Sequence, residues 1–461
     1  MINRRLRVIS RHICNQRAKN VELLLSSCIG ESENRQVDIE VEKNASGTRN
    51  VLQSGVDAKS DTTRYRFVRR TLKIVFADAS AADERYGGNG AVAILEGELM
   101  DPGTVSETVL IFMHPSGVMN LLPMPVALAQ AGLHVITCTS RYPNNDSTLI
   151  MEKVVIDLGE CVRYAKTQLG YKAVVLVGWS GGGSLCAFYQ AQAENPTIEK
   201  TPAGDGVDLV KAKLPKADAL MLMAAHISRA KIFTEWLDPS VLDESDPSKR
   251  DVELDLFDPR NPNKPPYSLV YQKRFRAAQV ARNQRITRWA REQLAKLDED
   301  VARGQHDWRR KMRDKAFVVH CTQADLRRLD VTIDPNGRDS TPLEELAAEN
   351  HSPVGLARFT TLRSWLSQWS FDESNADGPK SLANVSVPVF VLANEADHLV
   401  PLIHPETLYQ CVPHNNKDYL LVKGATHYYF GQTEIMAGAI RHTIQWLRKH
   451  ELVANDFALR V

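Results

Sequence analysis

Short apolar runs rich in β-branched residues recur along the chain at 72–76, 91–95, 109–113, 135–138, 173–177, 219–223, 387–392 and 419–422. The middle runs show no polar alternation, which suits strands buried on both faces of a parallel sheet. Helical spacing fills the gaps between them. In 149–169, Ile150, Val154, Leu158, Val162 and Ala165 fall three and four positions apart. The segments 183–193 and 437–452 read the same way. Strand–helix–strand alternation predicts an α/β architecture, a doubly wound and mostly parallel sheet. The rhythm stops between 228 and 384. Asp and Pro cluster at 258–266, and a long helical pattern follows at 268–297. A structureless loop of that length does not fit a compact domain. The segment is expected to be a large, mainly helical lid inserted between a first core part, 65–227, and a second, 385–461.

Residues 1–64 follow neither pattern. Arg4, Arg5, Arg7, Arg11, Arg17 and Lys19 precede the first acid, Glu22, and residues 31–62 are polar with few large apolar groups. A disordered extension is expected. Glu22 interrupts the apolar stretch a secretory signal needs, whereas a basic, acid-poor start also fits an organellar presequence. The 461 residues carry 57 Lys and Arg against 56 Asp and Glu, a net charge of +1, which argues against a whole-chain binder of nucleic acid or membrane surfaces. The segment 272–315 is locally basic, with 14 Lys or Arg against 6 Asp or Glu. A solvated helix face is favoured there over a surface that attracts anionic substrates. The stripe Ile286, Trp289, Ala290, Leu294 and Leu297 suits packing on the body or on a second copy in a homo-oligomer. No apolar run reaches the length of a membrane span. Seven scattered cysteines without a C-x-x-C pair read as free thiols in a reducing, cytoplasmic setting. The 13 histidines show no metal-ligand spacing, and no phosphate loop or dinucleotide fingerprint is present, so neither metal nor cofactor is expected.

The chemistry is concentrated at Gly178-Trp179-Ser180-Gly181-Gly182, which follows an apolar strand and opens a helix. A serine on a sharp strand-to-helix turn needs small residues two before and two after it, because a β-carbon there meets the neighbouring chain. The helix N-terminus then favours developing negative charge at the serine. A nucleophilic serine needs a base, and the base an orienting acid. Asp397 lies just past the strand run 387–392, where open α/β sheets build their sites, with Glu395 as its rival. His427 ends the strand run 419–422 and its loop, with His398 and His404 as rivals. The gap between Asp397 and His427 leaves room for one helix and one strand.

On this elbow, the Glu395-Ala396-Asp397-His398-Leu399-Val400-Pro401 loop and the Gly424-Ala425-Thr426-His427 ending, the chain resembles the α/β-hydrolase-fold superfamily over about 70–227 and 384–452. The resemblance implies attack by Ser180, with His427 as base and Asp397 as its orienter. It also implies an oxyanion hole built from the Gly181 N–H and a second amide in His114-Pro115-Ser116-Gly117. Pro115 has no N–H to give, so Ser116 is expected to donate, with Gly117 as rival. His114 is expected to order that loop. Gly117, Trp179 and Tyr142 are candidate substrate contacts. Arg141 and Asp146 belong to the same segment, for which a plain turn is the favoured reading. The expected activity is hydrolysis of a small-molecule carboxylic ester or lactone by water through an acyl-enzyme. The same triad also serves thioesters and C–C bonds. A non-catalytic binding protein on this scaffold is the alternative of a different class, and such proteins usually lack part of the triad.

Overall fold

The computed structural model of the chain describes residues 66–78, 92–303, 314–454 and 457. The extension expected at 1–64 lies outside the described residues. An eight-stranded sheet forms the body, in the order β1-β2-β4-β3-β5-β6-β9-β10. Its strands are β1 (Val68–Ala77), β2 (Val92–Asp101), β3 (Thr108–Phe112), β4 (Val135–Cys138), β5 (Ala173–Trp179), β6 (Ala219–Met223), β9 (Val389–Asn394) and β10 (Lys417–Val422). β2 runs antiparallel to both neighbours, and every pair from β4 through β3 to β10 is parallel. All eight apolar runs of the sequence became these strands.

Alternation along the central strands creates two cores. Val109 and Ile111 of β3 face one side with Val174, Leu176, Leu220 and Leu222. Leu110 and Phe112 face the other with Val175, Val177, Met221 and Met223. Both sets are buried, which is why no polar period survives in these runs. Helices α1 (Pro123–Gln130) and α2 (Met151–Thr167) lie in the first half of the chain. Met124 and Leu128 of α1 join the core of Phe112, whereas Val154, Leu158 and Val162 of α2 join that of Ile111. Helix α3 (Gly181–Glu194) packs beside α2. The sheet order switches direction at β3, so β4 and β5 lie on opposite sides of it. The crevice beyond the carboxyl ends of such strands is where open α/β sheets place ligands.

Between the neighbouring strands β6 and β9 the chain makes one long excursion. It contains α4 (Arg229–Trp236), α5 (Leu269–Ala302) and a small antiparallel pair, β7 (Ala316–Val318) with β8 (Phe359–Thr361). Helix α6 (Leu343–His351) and a π-helical turn at Trp365–Trp369 follow. The short β pair is an element the periodicity did not announce. Ser268 caps α5 by accepting the Tyr271 N–H at 3.2 Å. Ile286, Ala290 and Leu294 of α5 pack against Phe233, Trp365 and Trp369 within the excursion itself. The basic residues of α5 are largely consumed internally. Arg282 is fully buried and bonds Glu244 and the carbonyls of Asp238, His320 and Cys321. Arg285 shares Glu244, and Arg291 pairs with Glu373. Buried polar bonds fasten the excursion to the body. Ser367 Oγ accepts the Met151 N–H at 2.8 Å and donates to the buried Glu152 carboxyl at 2.7 Å.

Helix α7 (Ile403–Cys411) and strand β10 fill the gap before His427, and α8 (Thr433–Lys449) closes the chain against α1. Among the described residues no helix is long and apolar enough to cross a membrane. Cys138, Cys161, Cys186, Cys321 and Cys411 carry free thiols.

Arg141 has a structural role in its segment. Its guanidinium is buried and lies 2.7 Å from Asp157 of α2 and 2.6 Å from Asp78. The Asp157 side chain has no exposure. Removing one partner of such a pair leaves a buried charge uncompensated. Asp157→Ala is expected to lower unfolding stability by about 3–5 kcal/mol, read from urea denaturation. A loss below about 1 kcal/mol, the range of an exposed pair, would show that Asp78 and water suffice for Arg141.

Candidate active site

Ser180 sits between β5 and α3 with φ 50° and ψ −117°, a backbone that residues bearing a β-carbon rarely adopt. The glycines around it are dictated by close approach. A Cβ on Gly178 would stand 2.6 Å from the Gly182 oxygen, and one on Gly182 would stand 2.7 Å from the Met113 oxygen. A Cβ on Gly183 would meet the Ala225 methyl at 2.4 Å. The Ser180 N–H is fixed by the Met223 carbonyl of β6 at 3.2 Å. Gly181 heads α3, so its N–H has no acceptor within the helix.

Asp397 and His427 lie beyond the carboxyl ends of β9 and β10 and meet each other. His427 Nδ1 is 2.6 Å from Asp397 Oδ2, and both side chains are almost fully buried. The other carboxylate oxygen accepts the N–H groups of Leu399 and Val400 at 2.8 and 2.9 Å. A carboxylate so placed only accepts, so the imidazole proton is assigned to Nδ1, which donates to it. Nε2 is then left as an acceptor, buried and without a hydrogen-bond partner among the described residues. No hydrogen bond joins it to Ser180 Oγ. Trp179, the residue before Ser180, brings the two regions together by packing edge-on against the His427 ring, with centroids 5.9 Å apart.

The rivals are engaged elsewhere. Glu395 accepts the Gly424 N–H at 3.0 Å and pairs with Lys423, and these contacts hold its carboxyl below the usual range. His404 faces Glu235 at 3.4 Å, and His398 is exposed. Two asparagines that the sequence reading did not single out hold these loops. Asn394 donates to the Thr426 carbonyl at 2.9 Å and accepts from Tyr429 Oη at 2.6 Å. Asn336, from the excursion, donates to the Asp397 carbonyl at 3.0 Å.

The loop after β3 departs from expectation. Gly117 N–H donates to His114 Nδ1 at 2.6 Å, and Ser116 N–H points to the same nitrogen at 3.2 Å. The Ser116 amide, expected to face the oxyanion, is therefore already committed. The side chain that captures it supplies a donor in exchange. With Nδ1 accepting, the neutral ring carries its proton on Nε2. Burial, then Arg229 and His427, push the His114 pKa down to about 3, so the ring stays neutral. Nε2 lies 2.6 Å from where a Cβ of Gly181 would be. His114 thus orders its loop, as expected, and also presents an N–H beside Gly181.

Of the residues expected to touch substrate, Trp179 and Tyr142 are buried and Gly117 is half-buried. Trp179 is buried beneath His427, and Tyr142 belongs to the core with Met113 and Leu149. Gly117 is required where it stands, because a Cβ there would lie 2.9 Å from His114 Nδ1. The turn at 140–146 braces the loop. Ser140 Oγ donates to the Pro115 carbonyl at 2.5 Å, and the Asn144 N–H donates to the Ser116 carbonyl at 2.7 Å.

No family model matches the sequence, and none of the curated proteins compared with it matches. Among solved structures, the chain is similar to DcsB in complex with its substrate analogue, at 12% identity, 83% of this chain, 99% of that one and a TM-score of 0.43. It is also similar to the monoacylglycerol lipase of Paleococcus ferrophilus, at 13% identity, 77% and 99% coverage and a TM-score of 0.39. The alpha/beta hydrolase GrgF from Penicillium sp. sh18 gives 12%, 83%, 99% and 0.39. At such scores the fold is assigned on the strand order and on the strained serine between β5 and α3. The chain has the α/β-hydrolase fold. Its long excursion occupies the connection after β6, above the carboxyl edge of the sheet, as the positions of Asn336 and Arg229 require.

Arg229 is the site residue that sequence reasoning missed. It opens α4, is buried, and its Nη1 lies 3.3 Å from the position a Gly181 Cβ would take. Its Nη2 donates to Gln368 at 3.2 Å and touches Asp146 at 3.5 Å. It stands in His226-Ile227-Ser228-Arg229-Ala230-Lys231, a stretch that no catalytic motif marks among the chain's many arginines. Nearby His226 is buried, which holds its pKa well below the usual value. Among the described residues no group of three or more His, Cys, Asp or Glu is arranged to hold a metal ion.

Proposed function

We propose that the protein is a serine hydrolase that cleaves a carboxylic ester or lactone through an acyl-enzyme on Ser180. The observation that carries this reading is the buried Asp397–His427 pair, whose unpartnered Nε2 lies in the region of a serine held on a strained elbow. In the first half-reaction Ser180 Oγ bonds to the acyl carbon while its proton passes to His427 Nε2. The same proton then goes to the leaving alkoxide oxygen as the carbon–oxygen bond breaks. In the second half-reaction water gives a proton to His427 as its oxygen bonds to the acyl carbon; the bond from that carbon to Ser180 Oγ then breaks, Oγ recovers the proton from Nε2 and the carboxylic acid leaves. Asp397 stabilises the imidazolium and fixes its orientation without taking the proton.

The oxyanion is assigned to two donors of unlike origin. One is the Gly181 N–H at the head of α3 and the other is the Nε2–H of His114. A side-chain donor substitutes for the loop amide that Pro115 and the His114 ring take out of use. The excursion of about 228–384 acts as the lid, since its Asn336 touches the acid loop and its Arg229 faces the elbow.

A fluorophosphonate probe tests this directly. The expected result is a single covalent adduct, located by peptide mass analysis on Ser180, together with a burst of p-nitrophenol from short p-nitrophenyl esters. A folded protein that takes no adduct and shows no burst fits the binding-protein alternative and ends the hydrolase reading.

A further inference from the structure

The lid brings a cation to the elbow that ester hydrolysis itself does not require. Arg229 is 4% exposed, and a guanidinium taken that far out of water needs compensation. What it receives is incomplete. Gln368 is neutral, and the one carboxylate in contact among the described residues, Asp146, lies 3.5 Å away at Nη2. Nε is buried and has no hydrogen-bond partner among the described residues. Nη1 makes no hydrogen bond among the described residues, and it is the nitrogen that approaches Gly181.

The group is nonetheless held rigidly. It stacks on the Trp369 ring with its central carbon 4.5 Å from the centroid. Trp369 is fully buried, lies 4.9 Å from Phe233 centroid to centroid, and its carbonyl accepts the buried Asn283 amide at 2.8 Å. A fixed plane, one anchored corner and one corner without a hydrogen bond describe a preorganised anion receptor. Burial pulls the Arg229 pKa down to about 10, which leaves it charged at neutral pH. The imidazoles beside it, His114 and His226, are kept neutral, so they do not compete for a negative ligand.

Position decides which anion. Nη1 and His114 Nε2 converge on Gly181, 3.3 and 2.6 Å from where its Cβ would stand, on the residue whose N–H is assigned to the oxyanion. We propose that Arg229 binds a carboxylate carried by the acyl part of the substrate, a few bonds from the scissile carbonyl, making hemi-esters of short dicarboxylic acids the preferred substrate class. The inference rests on the serine-hydrolase reading. Arg229 is then a specificity residue, and Asp146 and Gln368 hold it in place.

The test compares p-nitrophenyl hemisuccinate with p-nitrophenyl butyrate, which is similar in length and uncharged. The protein as it stands is expected to favour the hemisuccinate in kcat/KM by about 30-fold or more, the range of a charged hydrogen bond in a dry site. Arg229→Gln is expected to bring that ratio near one, mainly through KM, and Arg229→Lys to keep part of it. Equal use of both esters by the unmodified protein overturns the proposal. So does an equal loss on both in Arg229→Gln, which would make the arginine an oxyanion or scaffold group. If Arg229→Gln does not fold, protection of Ser180 from the fluorophosphonate is measured in the unmodified protein. Succinate should protect and succinamide should not, and equal protection by the two overturns the proposal. An absence of any adduct or turnover with either ester instead marks failure of the hydrolase reading itself.

Discussion

Ser180→Ala is expected to lower kcat on any accepted ester by about 10⁴- to 10⁶-fold, the scale on which a triad nucleophile acts. It should leave the fold intact. The residue's φ of 50° is imposed by the β5–α3 turn and by the packing of Gly178, Gly182 and Gly183, none of which involves the hydroxyl. Alanine inherits the same backbone and the same strain, so its unfolding midpoint should match that of the unmodified protein. Glycine should not. Positive φ costs glycine nothing, and strain of this kind is worth about 1–3 kcal/mol. Ser180→Gly is therefore expected to be more stable than either, by about 1 kcal/mol after glycine's larger unfolded-state entropy is subtracted, and equally inactive. Urea denaturation of the three proteins, with kcat on p-nitrophenyl acetate, checks both halves. Retention of most of the activity in Ser180→Ala would remove the nucleophile, and a Ser180→Gly less stable than Ser180→Ala would remove the strain.

The same turn shows why so much of the architecture was legible. Strand burial on both faces is a local property of composition, so Val109 to Phe112 or Ala219 to Met223 announce themselves without reference to distant partners. The elbow is legible because its glycines are demanded by backbone contacts that any such turn must make. The candidate acid and base were suggested by position, each past the end of a strand, β9 buried and β10 half-buried.

What escaped were side chains whose meaning depends on a partner far away in sequence. Arg229 and Gln368 are 139 positions apart. Arg282 looked like part of a solvated basic face, yet it is the buried tie between Glu244 and three carbonyls. Ser116 was a reasonable donor from the sequence, because only the folded loop shows His114 Nδ1 closing on its amide. Charge pattern along one helix does not report which charges other elements will neutralise. Periodicity, similarly, located the long insertion but was silent on how Asn336 and Arg229 of that insertion reach the Asp397 loop and the elbow.

Asp397→Asn should lower kcat by about 10⁴-fold with KM little changed, because the substitution locks the wrong tautomer of the base. The geometry makes the orientation of the new amide predictable. Leu399 and Val400 each point an N–H at Oδ1, at 2.8 and 2.9 Å, and those donors demand an oxygen. The asparagine oxygen is held there, and its NH₂ must occupy the place of Oδ2, 2.6 Å from His427 Nδ1. Two donors cannot face each other, so Nδ1 gives up its proton and Nε2 takes one. A protonated Nε2 has no lone pair to receive the Ser180 proton, and the rate falls although the loops stay in place. Glu395→Gln is the matched control on the same loop. Glu395 is bound by the Gly424 N–H and by Lys423, a surface pair of little energetic weight, and it has no contact with the imidazole. Its kcat should stay within about twofold of the unmodified protein. Measured side by side at neutral pH, with circular dichroism to confirm that both variants fold, a deep loss in Glu395→Gln and a mild one in Asp397→Asn would transfer the orienting role to Glu395. A mild loss in both would mean that burial and Trp179 packing alone hold His427 in its working tautomer.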